Sequence, residues 1–126
     1  MQNPKNLDVS ARAMRLAKET YVLTKAFPPD ERFGLTSQMR RAAASIGSNI
    51  AEGCGRGSDR EFRAFLHIAL GSASELEFQM ELARELKFTS TERSATVASL
   101  VQEVKRMLSR LIVAVRARER KPKKDL

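Results

Sequence analysis

Four stretches of this chain repeat apolar residues at alternating steps of three and four, and each is closed by prolines, clustered glycines or a Ser/Thr-rich hinge. That spacing is the period of a helix with one buried stripe; a strand would alternate every second residue. The first stretch, about 8–26, carries Val9, Ala13, Leu16, Thr20, Leu23 and Phe27. Pro28 and Pro29 end it, because each lacks an amide donor and pushes the residue before it out of the helical region. The second, about 36–53, carries Leu35, Met39, Ala42, Ala43, Ile46 and Ile50. Thr36 or Ser37 is expected to cap its start, and Gly53, Gly55 and Gly57 to end it as a turn.

The third stretch, about 58–87, holds Phe62, Phe65, Leu66, Ala69, Ala73, Leu76, Met80 and Ala83 behind Ser58 and Glu61, which have the spacing of a capping box. The fourth, about 90–120, holds Val97, Leu100, Val101, Val104, Met107, Leu108, Leu111 and Val115 behind Thr89-Ser-Thr-Glu92, and Pro122 closes it. Short hinges between amphipathic helices make neighbours antiparallel, so the expected fold is all-α, an up-down-up-down four-helix bundle over residues 1–121 with a basic disordered tail at 122–126. A chain of 126 residues with 42% hydrophobic and 30% charged residues can bury one such core without staples. The single Cys54 forms no internal disulfide, which suits a reducing compartment. With no secretory signal pattern at the start and no apolar run near ~18 residues, the expectation is a cytoplasmic protein with no membrane contact.

Charge is unevenly placed. The net is +8, from 23 Lys and Arg against 15 Asp and Glu, and most of the excess lies beyond residue 88. Arg116, Arg118, Arg120, Lys121, Lys123 and Lys124 stand within nine residues that contain one acid, Glu119. No aromatic residue interrupts that run, so its evident chemistry is phosphate contact without base specificity, and it is expected to supply most of any affinity for RNA or DNA.

Catalytic and metal-binding readings fare poorly. Arg60 and His67, with six residues between them, have a spacing found in helical-bundle ribonucleases of the HEPN class. Among 23 basic residues, however, chance supplies such an Arg, Glu61 departs from the small polar residue usual after it, and a structural histidine beside Leu66 and Ile68 is the simpler reading. Glu75, Glu77, Glu81 and Glu85 lack the Glu-x-x-His partners of a dinuclear site in a bundle. The Gly53-x-Gly-x-Gly57 segment lacks the preceding strand and following Lys-Ser/Thr of a phosphate loop, leaving Arg56 as its one hint of anion contact. No enzyme activity, cofactor or metal is expected.

A second, polar stripe also keeps helical spacing on the second helix: Gln38, Arg41, Ser45, Ser48, Asn49 and Glu52. Ser72, Glu75 and Gln79 answer it on the third. Around them Ala42, Ala43, Ala44, Ser45, Gly47 and Ser48 are smaller than an ordinary solvated face requires, and small residues let helices approach closely. Ala43, Ser45, Asn49, Glu52, Ser72 and Glu75 are therefore candidates for a subunit interface or a buried polar network.

The stretch from Phe33 through Gly53 (Phe-Gly-Leu-Thr-Ser-Gln-Met-Arg-Arg-Ala-Ala-Ala-Ser-Ile-Gly-Ser-Asn-Ile-Ala-Glu-Gly), with Arg56, Phe62, Phe65, Ala69-Leu-Gly71-Ser72 and Glu75-Leu-Glu77, resembles the bacterial four-helix-bundle family named for the 23S rRNA intervening sequence. Over about residues 21–88 the departures are small: Gly47 stands where proline or a similar residue is common, and Cys54 where an aromatic is common. The resemblance implies a homopentamer with no established activity. It is also similar to accessory proteins of diversity-generating retroelements, which implies a nucleic-acid-associated role with a reverse transcriptase or ribosomal component as partner. Carried over by position, Arg40, Arg41, Ser45, Asn49, Glu52, Arg56, Ser72 and Glu75 match its motif. The competing expectation is a pure assembly or scaffold protein whose charge only maintains solubility.

Overall fold

Apolar periodicity becomes four antiparallel helices in the computed structural model, which describes residues 7–120: α1 Asp8–Thr24, α2 Leu35–Cys54, α3 Asp59–Glu85 and α4 Ala95–Glu119. Each helix packs on its chain neighbours and α1 closes on α4, while the diagonal pairs stand further apart, so the bundle is a ring of four in up-down-up-down order. The predicted stripes meet along its axis: Leu16, Met39, Ile46, Ile50, Leu66, Leu76, Val101, Val104 and Leu108 are fully buried. On α4 the end of the stripe differs from the expected one. Ile112 is buried and Leu111 only partly so, because at 3.6 residues per turn Ile112 lies about 40° around the axis from the buried Leu108 and Leu111 about 60° to its other side.

Helix ends are where expectation and structure part. Neither Thr36 nor Ser37 caps α2; its cap residue is Gly34, and the Glu31 carboxylate accepts the Leu35 N–H at 2.9 Å from a short 3-10 turn at Pro29–Glu31. Ser58 does cap α3, its hydroxyl accepting the Glu61 N–H at 3.2 Å, but the Glu61 carboxylate takes the Ser58 hydroxyl instead of completing the box on the backbone. At its other end α3 stops at Glu85. Lys87 adopts a left-handed φ of 62°, Phe88 N–H reaches back to Ala83 O at 2.9 Å and Lys87 N–H to Arg84 O at 2.9 Å. This is a Schellman closure built on lysine where glycine is the usual signal.

α4 begins at Ala95, five residues after the expected start. Ser90–Ser94 forms a turn in which the Ser94 hydroxyl donates to Ser90 O at 2.7 Å and accepts Arg84 Nε at 2.8 Å. Ser94 has no exposure, so this contact pins the α3 end to the α4 start. At the same end of the bundle the Phe27 and Phe88 rings stand 5.8 Å apart in a tilted pair, joining the other hinge.

The opposite end is held by charge. Arg63 Nε and Nη2 grip the Glu119 carboxylate at 2.6 and 3.0 Å, and Arg118 grips Asp59 at 2.9 and 3.3 Å. The hydrogen bond from Arg63 holds the Glu119 carboxyl below its ordinary range and raises the guanidinium in return. A carboxyl that is more acidic when folded adds stability above its unfolded pKa, and that contribution disappears as pH falls through the folded value. Glu119→Gln should therefore lose stability near neutrality and show a flatter decline towards acid pH than wild type. Parallel stability curves for the two proteins, followed by circular dichroism, would contradict this role.

Candidate functional site

Between α2 and α3 the small residues of the sequence pattern come together. Ala43, Ala69 and Ala73 are completely buried and Ala42 nearly so, which allows the two helix backbones to approach closely. Along the outer lip of this seam Ser45 Oγ and Ser72 Oγ lie 2.9 Å apart, and Asn49 Nδ2 donates to Ser45 O at 2.8 Å and to Ser45 Oγ at 2.9 Å. These three residues thus form a polar network within one subunit. One turn further along α3, Gln79 Nε2 donates to Glu75 Oε1 at 3.0 Å, while the Gln79 side-chain oxygen Oε1 is buried without a partner among the described residues. Gln38, Arg41, Ala42, Ser45, Ser72 and Glu75 line a groove of about 420 Å³ there.

On the other side of α2 a second groove, of about 500 Å³, runs along α1 and is almost wholly apolar. Ala44, Gly47, Ser48 and Ala51 form its floor on α2, and Met14, 65% exposed, rises beside it from α1. The Ser10 hydroxyl at its edge is buried with no hydrogen-bond partner among the described residues. Beyond the grooves, Phe78 and Leu82 on α3 and Leu86 just past its end recur at four-residue steps as an exposed ridge, and Phe33 before α2 is 86% exposed. The ridge residues lie on the side of α3 turned away from the buried stripe of Leu66, Ala69, Ala73, Leu76 and Met80, so core periodicity does not reveal them.

The residues expected to act as one set thus divide by position. Ala43 faces its own subunit's core. Glu52 is exposed and pairs with Arg56 at 2.8 Å, away from the Ser45 network. The cations divide as well. Arg40 Nε donates to Thr24 Oγ1 at 2.9 Å and its guanidinium lies 4.6 Å over the Tyr21 ring, clamping α2 to the end of α1. Arg56 lies 4.9 Å over Phe65, and Arg118 is engaged by Asp59. Arg41, Arg116 and Arg120 are exposed and make no ion pair among the described residues. Lys121, Lys123 and Lys124 lie outside the described residues, as does the tail at 122–126.

His67 is exposed, contrary to the packed role expected of it, and so is Arg60. Seven residues of helix put about 10 Å of rise between them. Cys54 is buried at the end of α2, and burial pushes its thiol up, away from the thiolate a nucleophile requires. Among the described residues no group of three or more His, Cys, Asp or Glu is placed to hold a metal ion, and no helix is long and apolar enough to cross a membrane.

A closely seamed antiparallel bundle with small-residue grooves on both flanks of α2 is the class of protein these observations define. The chain belongs to the 23S rRNA-intervening sequence protein family, whose family model matches residues 5–110. Its fold is similar to that in the 1.70 Å crystal structure of a protein of unknown function from the S23 ribosomal protein family of Bacteroides thetaiotaomicron VPI-5482. The TM-score is 0.74 at 25% sequence identity, covering 82% of this chain and 97% of the other. No curated protein matches the sequence.

Proposed function

We propose that this chain is a non-enzymatic, self-assembling protein that binds nucleic acid through its phosphates, working in the cytoplasm beside a ribosomal or reverse-transcriptase component. The observation that carries assembly is the surface around α2: two grooves floored by small residues, a Gln79 side-chain oxygen with no partner among the described residues and an exposed Phe78–Leu82–Leu86 ridge. Exposed apolar surface of this kind, rimmed by polar residues, marks contacts with other chains. A homopentamer is the assembly implied by the family. Nucleic-acid binding is supported by the +8 charge, which repetition in an oligomer multiplies.

A pure scaffold is the second reading, favoured by the neutralisation of Arg56, Arg63 and Arg118 within the subunit. Light scattering at micromolar concentration should give a mass near five times 14.1 kDa. Generic RNA and duplex DNA should bind at low salt, with log affinity falling steeply against log salt. A monomer would remove assembly, and an oligomer that binds neither polymer at low salt would leave the scaffold reading alone.

A further inference from the structure

A helix that serves only its own bundle needs one apolar stripe, and α3 carries a second. Beside the buried one, Ala64, Ile68, Gly71, Glu75, Phe78 and Leu82 recur at steps of four and three, the rhythm of a coiled-coil contact. At 3.6 residues per turn these six fall within an arc of about 80°, centred about 120° around the axis from Leu76. All six are exposed, Ile68 by 51%, Phe78 by 64% and Leu82 by 37%. Gly71 stands at the middle of this outer stripe and of a 27-residue helix, where glycine weakens the helix. A Cβ built there would meet nothing within 4 Å, so no contact inside the subunit requires a glycine. The close approach of a second backbone would.

The α1–α2 groove is the matching hollow. Ala13 and Ala17 on α1 with Ala43 and Gly47 on α2 make a shallow floor, and no acid stands among the residues that line it. Along its α1 lip, Lys18 lies between Ala11 and Met14 around the helix, and Lys25 follows two turns on. Arg41, about 20° around α2 from Ser48, stands on the crest between this groove and the one beside Ser45. Lys18, Lys25 and Arg41 are exposed and make no ion pair among the described residues. The outer stripe of α3 carries the opposite charge: Glu75 lies within it and Glu81 and Glu85 flank its C-terminal half, against Arg60 near its start.

We infer that the outer stripe of α3 in one copy of this chain lies in the α1–α2 groove of a second copy. This contact rests on the assembly reading above and names its two surfaces. Ile68, Phe78 and Leu82 supply large side chains to a floor of alanine and glycine, and Gly71 lets the two backbones close up between them. The stripe from Ala64 to Leu82 is about 27 Å long and the α1 lip from Ala11 to Lys25 about 21 Å, at 1.5 Å rise per residue. Stripe against stripe, the other self-pairing, would bring two sets of Glu75, Glu81 and Glu85 together, whereas the groove offers Lys18, Lys25 and Arg41. Because the two surfaces differ, the contact is head-to-tail and every subunit offers one of each. Ser72, which reaches Ser45 on α2, lies between the stripe and the core, so the stripe leans towards α2. Stripe and groove therefore occupy adjacent sides of the bundle, and successive contacts turn about an axis instead of running straight.

The test uses two variants of the full chain, each spoiling one surface at exposed positions: Phe78→Gln with Leu82→Gln on the stripe, and Ala44→Glu with Ser48→Glu on the groove. Circular dichroism checks that each folds, and Phe78→Gln or Ser48→Glu alone serves if a double variant does not. By light scattering, wild type should be an oligomer and each variant a 14.1 kDa monomer. Mixed in equal amounts, the variants can form one intact contact, the stripe of the groove variant in the groove of the stripe variant, and no more. The mixture should therefore give a species of twice 14.1 kDa. Mixing at about 100 μM is suitable, since a contact with a Kd of about 10 μM or tighter is mostly formed there. A monomeric wild type would overturn this contact and the assembly reading together. Variants that both keep the wild-type mass would leave assembly standing and remove these surfaces from it. Loss of assembly in only one variant would mean that stripe and groove are not partners, and two monomeric variants that give no dimer on mixing would overturn their direct contact.

Discussion

Leu76→Ala should lower the free energy of unfolding by about 2–5 kcal/mol, among the largest losses available to a single substitution in this bundle. Leu76 has no exposure and stands at the middle of α3, the helix that packs on both α2 and α4. Truncation removes apolar contact on two sides at once, and neighbours such as Ala73 are too short to fill the space left behind. Against a total stability of roughly 5–15 kcal/mol for a domain of this kind, the variant should remain folded at room temperature but melt many degrees lower. Chemical denaturation at fixed protein concentration is the appropriate measurement, because assembly adds a concentration-dependent term. A loss below about 1 kcal/mol would mean that α3 is not sandwiched as described.

Gly53→Val should cost about 2–3 kcal/mol through overpacking where α2 meets the start of α3. A Cβ built at Gly53 would come within 2.9 Å of the Phe65 Cβ and 3.0 Å of the Phe62 ring, with the Phe62 carbonyl at 3.3 Å. The nearest of these atoms is the stem of a side chain and cannot swing away, so the helices would have to separate. Gly53→Ala makes the informative partner: alanine's greater helix propensity returns about 1 kcal/mol, which should leave a smaller net loss than valine produces. Gly57, by contrast, has open space around it and should accept alanine with little effect. If Gly53→Ala proves stabilising by the full propensity difference, the close approach of α2 and α3 is not present in solution.

These two residues also show how far the sequence could be read. Leu76 announces itself, because its spacing from Ala73 and Met80 places it on the buried stripe before any coordinate is known. Gly53 reads as turn punctuation, one of three glycines at a helix end, yet it lies inside α2 as a packing residue. Nothing local distinguishes these roles, since the reason for the glycine is the Phe62 and Phe65 side chains of the next helix. Ser94 is a similar case. A serine at a helix start predicts a cap, whereas here its hydroxyl supports the Arg84 guanidinium ten residues earlier.

Periodicity, prolines and clustered glycines by themselves determined that the chain makes four antiparallel helices and most of the side chains that fill the core, because both follow from the 3.6-residue repeat and from backbone chemistry within a few residues. Only the tertiary structure decided what the charged and small residues do. Arg118 and Asp59, or Arg63 and Glu119, meet across more than fifty residues of chain, and Arg40 is drawn to Tyr21 and Thr24 by the packing of α2 on α1. A charge can be counted from sequence, but whether it is free to meet a ligand depends on what lies within a few ångströms of it, and that is a property of how helices pack rather than of their order along the chain.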